Sequence, residues 1–452
     1  MSADTIDENC LQKFITFLKI PSISADPDYK EAIHNCADWV AEELRHMGFS
    51  VDIWQTSGAP VVFASWDKAG KDRPTLLLYC HYDVQPVDPL ELWDSPPFEP
   101  VIKNGNIYAR GAQDNKGQCF YTLEAVRQLL KETGKLPINI KFCIEGEEEC
   151  GSAGLLGELK KRPEQLQADY LAIVDLGMKD ANTPAVTLGC RGIVAFELIA
   201  EGPKMDLHSG SHGGLVKNPI QALVQVLSEL HDEQGKVAIP GFYDQVKSFS
   251  QEELAAIALD FNEQQYEHDF GATPSGGELG YKPLERVWLR PTLELNGITG
   301  GYTGIGFKTV IPAKASAKFS CRLAANQDPE HIVKLVTTHL QALKIPGITF
   351  TVERLEGGGS AVNASPGSPI VQAFKKAYSE VFGVEAACVL EGGSIPVTAA
   401  LKQASGAELV MVGLGLATDQ IHSPNEHFAL SRLEKGIKSM KRAFELIREI
   451  PS

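Results

Sequence analysis

The chain has no Cys-x-x-Cys pair, no basic stripe, no internal repeat and no apolar run longer than a strand. Each absence removes a class of protein. Without a long apolar run, no membrane-spanning helix is expected. The first residues, MSADTIDENCLQKF, are acidic and lack the apolar core of a secretory signal, so a cytoplasmic protein is expected. The nine cysteines are odd in number and scattered, and several lie inside apolar runs, which fits free buried thiols in a reducing compartment. Lys and Arg total 42 against 58 Asp and Glu, a net charge of −16. Such a surface repels nucleic acid and anionic lipid, and neither is an expected partner.

What is present is ordinary globular composition, 43% hydrophobic and 22% charged. At 452 residues there is material for two domains or more. Helical periodicity covers 6–20, 28–48 and 117–133. Short apolar runs at 61–66, 75–80, 138–144, 170–174 and 409–414 read as strands between helices. That alternation predicts a mixed, mostly parallel α/β sheet flanked by helices, with function collected at the carboxyl ends of its strands.

The middle of the chain has a different rhythm. A strand at 189–201, a helix at 218–233, strands at 292–297 and 313–324, a helix at 329–343 and a strand at 347–355 give the order β-α-β-β-α-β. This is the ferredoxin-like pattern. A long segment at about 235–288 interrupts it, and the glycine-rich 357-GGGSAVNASPG-367 reads as a hinge. The expected division is a catalytic domain split into 1–186 and 364–452, with an inserted α+β domain at 187–363.

Chemistry-bearing residues follow the predicted strands. The run 75-TLLLYC-80 delivers His81 and Asp83. The loop 111-GAQDNKG-117 carries Asp114, and 145-EGEEECGS-152 carries Glu147, Glu148 and Glu149. Asp175 follows 170–174, and His422 lies in 417-ATDQIHSPNE-426. Taken singly, each has a bland reading: a satisfied pair, a solvated turn, a helix cap. Together they would place two imidazoles and several carboxylates at one sheet edge. So many anions demand protonation or cations. Two divalent ions would neutralise most of the charge, and a His and carboxylate donor set suits Zn2+ or Mn2+. A carboxylate bridging two ions holds them about 3.5–4 Å apart, the spacing of a co-catalytic hydrolase. In extended chain His81 and Asp83 project to the same side, so Asp83 can fix the imidazole while the other ring nitrogen binds metal. Glu148 and Glu149 are adjacent and point different ways, so one can ligate while the other takes a proton from water.

The segments 81-HYDVQP-86, 109-ARGAQDNKG-117, 145-EGEEECGS-152, 206-DLHSG-210, 309-TVIP-312, 391-EGGSIP-396 and 422-HSPNE-426 resemble the M20 metallopeptidase family. The likeness is to its cytosolic non-specific dipeptidase and carnosinase-like branch, in order along nearly the whole chain. The resemblance implies metal ligation by His81, Asp114, Glu149, Asp175 and His422, with Asp114 bridging. It implies Glu148 as general base and Asp83 as the residue orienting His81. It further implies that His208 reaches a neighbouring subunit's site, in a homodimer formed through the inserted lid domain. Thr309, Arg322 and Ser394 match positions that hold substrate, Arg322 being suited to a terminal carboxylate. The implied activity is dipeptide hydrolysis by an activated water. The alternatives are an N-acyl-amino-acid deacylase, a succinyl-diaminopimelate desuccinylase type, or a non-catalytic metal-binding protein. Carnosinase-like members carry a further histidine near the hinge; 352-VERLEGGGSAVNAS-365 has none, so a preference for carnosine does not follow. The stretch 301-GYTGIGFKT-309 is superficially like a phosphate loop, but Phe307 intervenes before Lys308 and nucleotide binding is not expected.

Overall fold

The computed structural model describes residues 6–355 and 357–450. Its larger sheet has nine strands, and four of them set the site. Thr75–His81 lies parallel between Asn139–Glu145 and Tyr170–Val174, and Tyr170–Val174 in turn pairs in parallel with Glu408–Val412. Antiparallel strands continue the sheet on both sides: Ser50–Trp54 and Val61–Trp66 beyond Asn139–Glu145, and Ala185–Cys190 beyond Glu408–Val412. The sheet is therefore mixed, as the alternating pattern predicts.

Strand alternation sorts side chains onto the two faces. Leu76, Leu78 and Cys80 enter one core, together with Phe14, Val40, Phe120 and Phe444 from the covering helices. Leu77 and Tyr79 enter the opposite core, with Leu155, Leu401 and Met411. Both faces are covered, which is why the central strands read as continuous apolar runs. All nine cysteines are free thiols, and all but Cys150 are buried.

The second sheet is antiparallel, in the order Thr292–Gly300, Lys314–Leu323, Gly192–Glu201, Thr349–Arg354. Helices Pro219–Ser228 and Pro329–Ala342 complete the β-α-β-β-α-β order. Each starts at a side-chain cap followed by proline: Asn218 accepts from the Ile220 N–H at 2.9 Å, and Asp328 from the Glu330 N–H at 3.0 Å. Its core includes the stacked rings of Phe196 and Phe319, 5.1 Å apart. The segment before Thr292 holds three short helices, Gln251–Ala255, Glu263–Phe270 and Pro283–Trp288.

Several elements differ from the sequence reading. The strand expected at 189–201 is two strands, because the chain leaves the large sheet after Cys190 and enters the small one at Gly192. The glycine-rich stretch read as a hinge contains Val362–Asn363, paired with Ala185–Cys190. Ser50–Trp54 and Ala387–Glu391 are strands where none was expected. Among the described residues, no helix is long and apolar enough to cross a membrane.

Candidate metal centre

Parallel pairing brings the carboxyl ends of neighbouring strands to one edge, and the expected site residues meet there. His81 is the last residue of its strand and fully buried. Its Nδ1 lies 3.2 Å from Asp83 Oδ1, and its Nε2 lies 3.2 Å from Asp114 Oδ1 and 3.6 Å from Asp175 Oδ1. Across the cleft, His422 Nε2 lies 2.9 Å from Asp114 Oδ2 and 3.3 Å from Glu149 Oε2. Two donor groups result, His81–Asp114–Asp175 and Asp114–Glu149–His422, each with its ligand atoms within 4.8 Å of one another. Asp114 belongs to both.

Asp83 ties two of these elements together. Its Oδ1 accepts from the Glu148 N–H at 3.2 Å and its Oδ2 from the Glu149 N–H at 3.1 Å, while the Ser24 hydroxyl donates to Oδ2 at 2.7 Å. The buried carboxylate thus fixes the acidic turn against the strand end that carries His81. His422 itself adopts a left-handed backbone, φ 58°, unusual for a side chain other than glycine.

Burial and crowding shift six of these groups. It pushes the Glu148 carboxyl up to about 9, with Asp175 and Glu149 adding to the rise and His81 opposing it. Glu149 and Asp175 are likewise raised, mainly by burial. Burial would also raise Asp114, but hydrogen bonds to His422 and His81 carry it well below the usual carboxylate range. Burial opposes a charge on His81; the surrounding Asp175, Asp114 and Asp83 outweigh it and hold the ring well above its ordinary value. Hydrogen bonds to Asp114 and then Glu149 lift His422 to about 10.

The donor set fits divalent cations. His81 Nε2 is buried and lacks a well-formed hydrogen bond among the described residues, although two carboxylates face it. A ring nitrogen aimed between carboxylates is what an N/O metal site presents, with its Nδ1 side anchored by Asp83. A cavity of about 500 Å³ opens over the centre, lined by Asp114, Glu148, Glu149, Asp175, Ser394 and His422.

Other expected residues lie apart from this cluster. The Arg322 Nη1 donates to Ser394 Oγ at 2.8 Å, so this pair sits at the cavity's rim. Thr309 Oγ1 and His208 Nε2 lie 3.3 Å from each other, on the small ribbon formed by Leu207–His208 and Val310–Ile311. Neither lines the cavity of its own chain.

Three supporting residues had no role assigned from the sequence. Glu426 is fully buried; it accepts from Arg110 Nη1 and the N–H groups of Gly111, Gln113 and Asp114, which shapes the loop presenting Asp114. Asn115 donates to Asp175 Oδ1 at 2.6 Å and accepts from the His81 N–H at 3.3 Å. Glu147 accepts from the N–H groups of Ala59 and Gly154 and so anchors the acidic turn from behind. The motifs 109-ARGAQDNKG-117, 145-EGEEECGS-152 and 422-HSPNE-426 contained all three. The signal missing was their function, which is to bind backbone.

A mixed α/β sheet with clustered His and carboxylate donors, carrying a ferredoxin-like insertion, defines a metallohydrolase of the peptidase type. The chain belongs to peptidase family M20/M25/M40, whose sequence profile matches residues 77–446. It is 34% identical to the Cys-Gly metallodipeptidase dug1 of Schizosaccharomyces pombe, over 97% of each chain. It is 31% identical to the Beta-Ala-His dipeptidase of Homo sapiens, over 90% of this chain and 83% of that one. Among solved structures, the M20 family metallo-carboxypeptidase Sso-CP2 from Sulfolobus solfataricus superposes with a TM-score of 0.88 at 33% identity, covering 98% of this chain and 100% of that chain.

Proposed function

We propose that the protein is a dinuclear metallodipeptidase that cleaves the peptide bond of dipeptides or similarly small amino-acid conjugates. One observation carries the reading: two three-residue donor groups share Asp114. His81 and Asp175 would hold one ion, Glu149 and His422 the other, and Asp114 both; Zn2+ and Mn2+ both suit these donors. When bound, the cations supply Lewis acidity toward water and carbonyl oxygen and offset the neighbouring carboxylate charges that add to the burial-driven rise of Glu148.

The chain's own groups do the rest. Glu148 lines the cavity without belonging to either donor group, so its carboxylate is free to take a proton from attacking water and return it to the leaving nitrogen. Asp83 holds His81 in one orientation. Arg322 and Ser394 grip the substrate's terminal carboxylate. His208 and Thr309 act on the partner subunit's site in a homodimer.

Dimerisation through the inserted unit, about 187–363, is supported by its exposed apolar side chains. Leu215, Val224, Leu295, Ile298, Ile305 and Phe307 are all exposed, two of them on the edge strand Thr292–Gly300. The same unit serves as a lid, turning about the two crossings between sheets near Arg191 and 358–361. The decisive assay measures hydrolysis of dipeptides against acetyl-, succinyl- and carbamoyl-amino acids, with zinc and with manganese. Dipeptide turnover supports the reading; turnover confined to acyl-amino acids assigns a deacylase.

A further inference from the structure

A second cavity, of about 370 Å³, is linked to the metal-site cavity by one hydrogen-bonded pair of wall residues. Ser394 lines the metal-site cavity, and Arg322, which donates to it, lines the second. The remaining wall comes largely from the segment that interrupts the ferredoxin-like order. Phe261 and Tyr266 pack with ring centroids 5.3 Å apart, and helix Pro283–Trp288 contributes Arg286 and Val287. Arg191, at the crossing between the two sheets, forms part of the wall. A side chain at Gly392 would collide with Val287 Cγ1 at 2.6 Å, so a glycine lets the short helix close onto this wall.

The charges of this pocket are unbalanced. Arg191, Arg286 and Arg322 line it against one carboxylate, Glu294. None of the three guanidiniums has a carboxylate within 4.0 Å among the described residues. Arg191 is 9% exposed, and its hydrogen-bond partners among the described residues are uncharged: the Gly392 carbonyl at 2.9 Å, with the Arg290 carbonyl and Thr292 hydroxyl at 3.5 and 3.4 Å. Arg286 donates to the carbonyls of Gly276 and Pro274, and its buried Nε has no partner among the described residues. Burial draws the Arg191 guanidinium down to about 10; the Arg322 charge adds to the fall, while Glu391 and Glu294 oppose it. A buried charge without a counter-charge is costly, and a ligand that supplies one removes the cost.

We infer that this arginine-lined pocket receives the side chain of the substrate's carboxyl-terminal residue and selects an anionic one, so that dipeptides ending in glutamate or aspartate are preferred. The inference rests on the dipeptidase reading, which places the terminal carboxylate at Arg322 and Ser394. Arg322 also lines the second cavity, so a side chain entering it meets Arg191 and Arg286, whose planar forks suit a carboxylate.

The test compares Ala-Glu, its uncharged isostere Ala-Gln, Ala-Lys, Ala-Phe and Ala-Gly as substrates of the metal-loaded enzyme. Binding of free L-glutamate and L-glutamine is measured alongside by calorimetry. Ala-Glu is expected to exceed Ala-Gln in kcat/KM by about tenfold or more, as a charge-assisted pair is lost with the carboxylate. In Arg191→Met, and separately in Arg286→Met, that ratio should fall toward one. A ratio within about twofold in the unmodified enzyme, or a preference for Ala-Lys or Ala-Phe, overturns the inference. If no dipeptide is cleaved while L-glutamate still binds more tightly than L-glutamine, the dipeptidase reading fails and the pocket assignment stands. If dipeptides are cleaved without regard to the terminal side chain, the pocket assignment fails and the activity stands.

Discussion

The carboxylate of Asp83 stands 3.2 Å from Nδ1 of His81, two residues earlier at the end of a buried strand. The same carboxylate accepts the N–H groups of Glu148 and Glu149, and the Asp83 main-chain carbonyl lies 3.1 Å from the same Nδ1, so one residue orients an imidazole and fixes the turn that carries two more candidate site residues. Residues that hold a metal ligand in this way typically contribute 10–100-fold to metal affinity, on the order of one to three kcal/mol.

Asp83→Asn keeps the shape of the side chain and removes its charge. We predict a fall of about 10–100-fold in zinc affinity, measured by competition with a chromophoric chelator. Far-ultraviolet dichroism should remain that of the parent protein. Undiminished zinc affinity would reduce Asp83 to a packing residue.

Glu426 supports the site from the other side. It forms an ion pair at 2.9 Å with Arg110, both fully or almost fully buried, and it accepts three backbone N–H groups of the Asp114 loop. Glu426→Ala leaves the Arg110 charge uncompensated and those donors unpaired. The expected loss of stability is about 3–5 kcal/mol, read from urea unfolding of the metal-free protein. A loss below about 1 kcal/mol would show that the loop is held by other contacts.

His208 lies on the inserted unit beside Thr309 and does not line the cavity of its own chain. If it serves the partner's site, His208→Ala and Glu148→Gln are each inactive alone but complement each other once subunits exchange. A hybrid dimer then contains one site with an intact Glu148 and an intact His208 from the partner. Up to roughly a quarter of the parental activity should return in an equal mixture. Absence of any recovery after demonstrated exchange places His208 outside the mechanism of the partner's site.

The residues of the candidate donor groups could be picked out from the sequence because each follows an apolar strand-like run or a loop behind one. Parallel pairing of Thr75–His81 with Asn139–Glu145 and Tyr170–Val174 then leaves their ends side by side. Glu426, Asn115 and Glu147 were not legible, because their partners are largely backbone groups and such bonds leave no spacing pattern. The strand Ser50–Trp54 was missed for a related reason: it is a short edge strand with two acidic or polar residues outward, and only Trp54 is buried. The split after Cys190 was hidden because Ala185–Cys190 and Gly192–Glu201 are both apolar and only Arg191 separates them. The arginine-lined pocket was invisible, since it is assembled from positions 191, 261, 266, 286 and 322.

The metal content of the purified protein tests the account's centre most directly. After reconstitution with zinc or manganese and removal of excess ion, elemental analysis should give two ions per chain. In Asp114→Ala it should fall below one, since that carboxylate belongs to both donor groups. A single ion per chain at saturation, or two ions retained in Asp114→Ala, would contradict it.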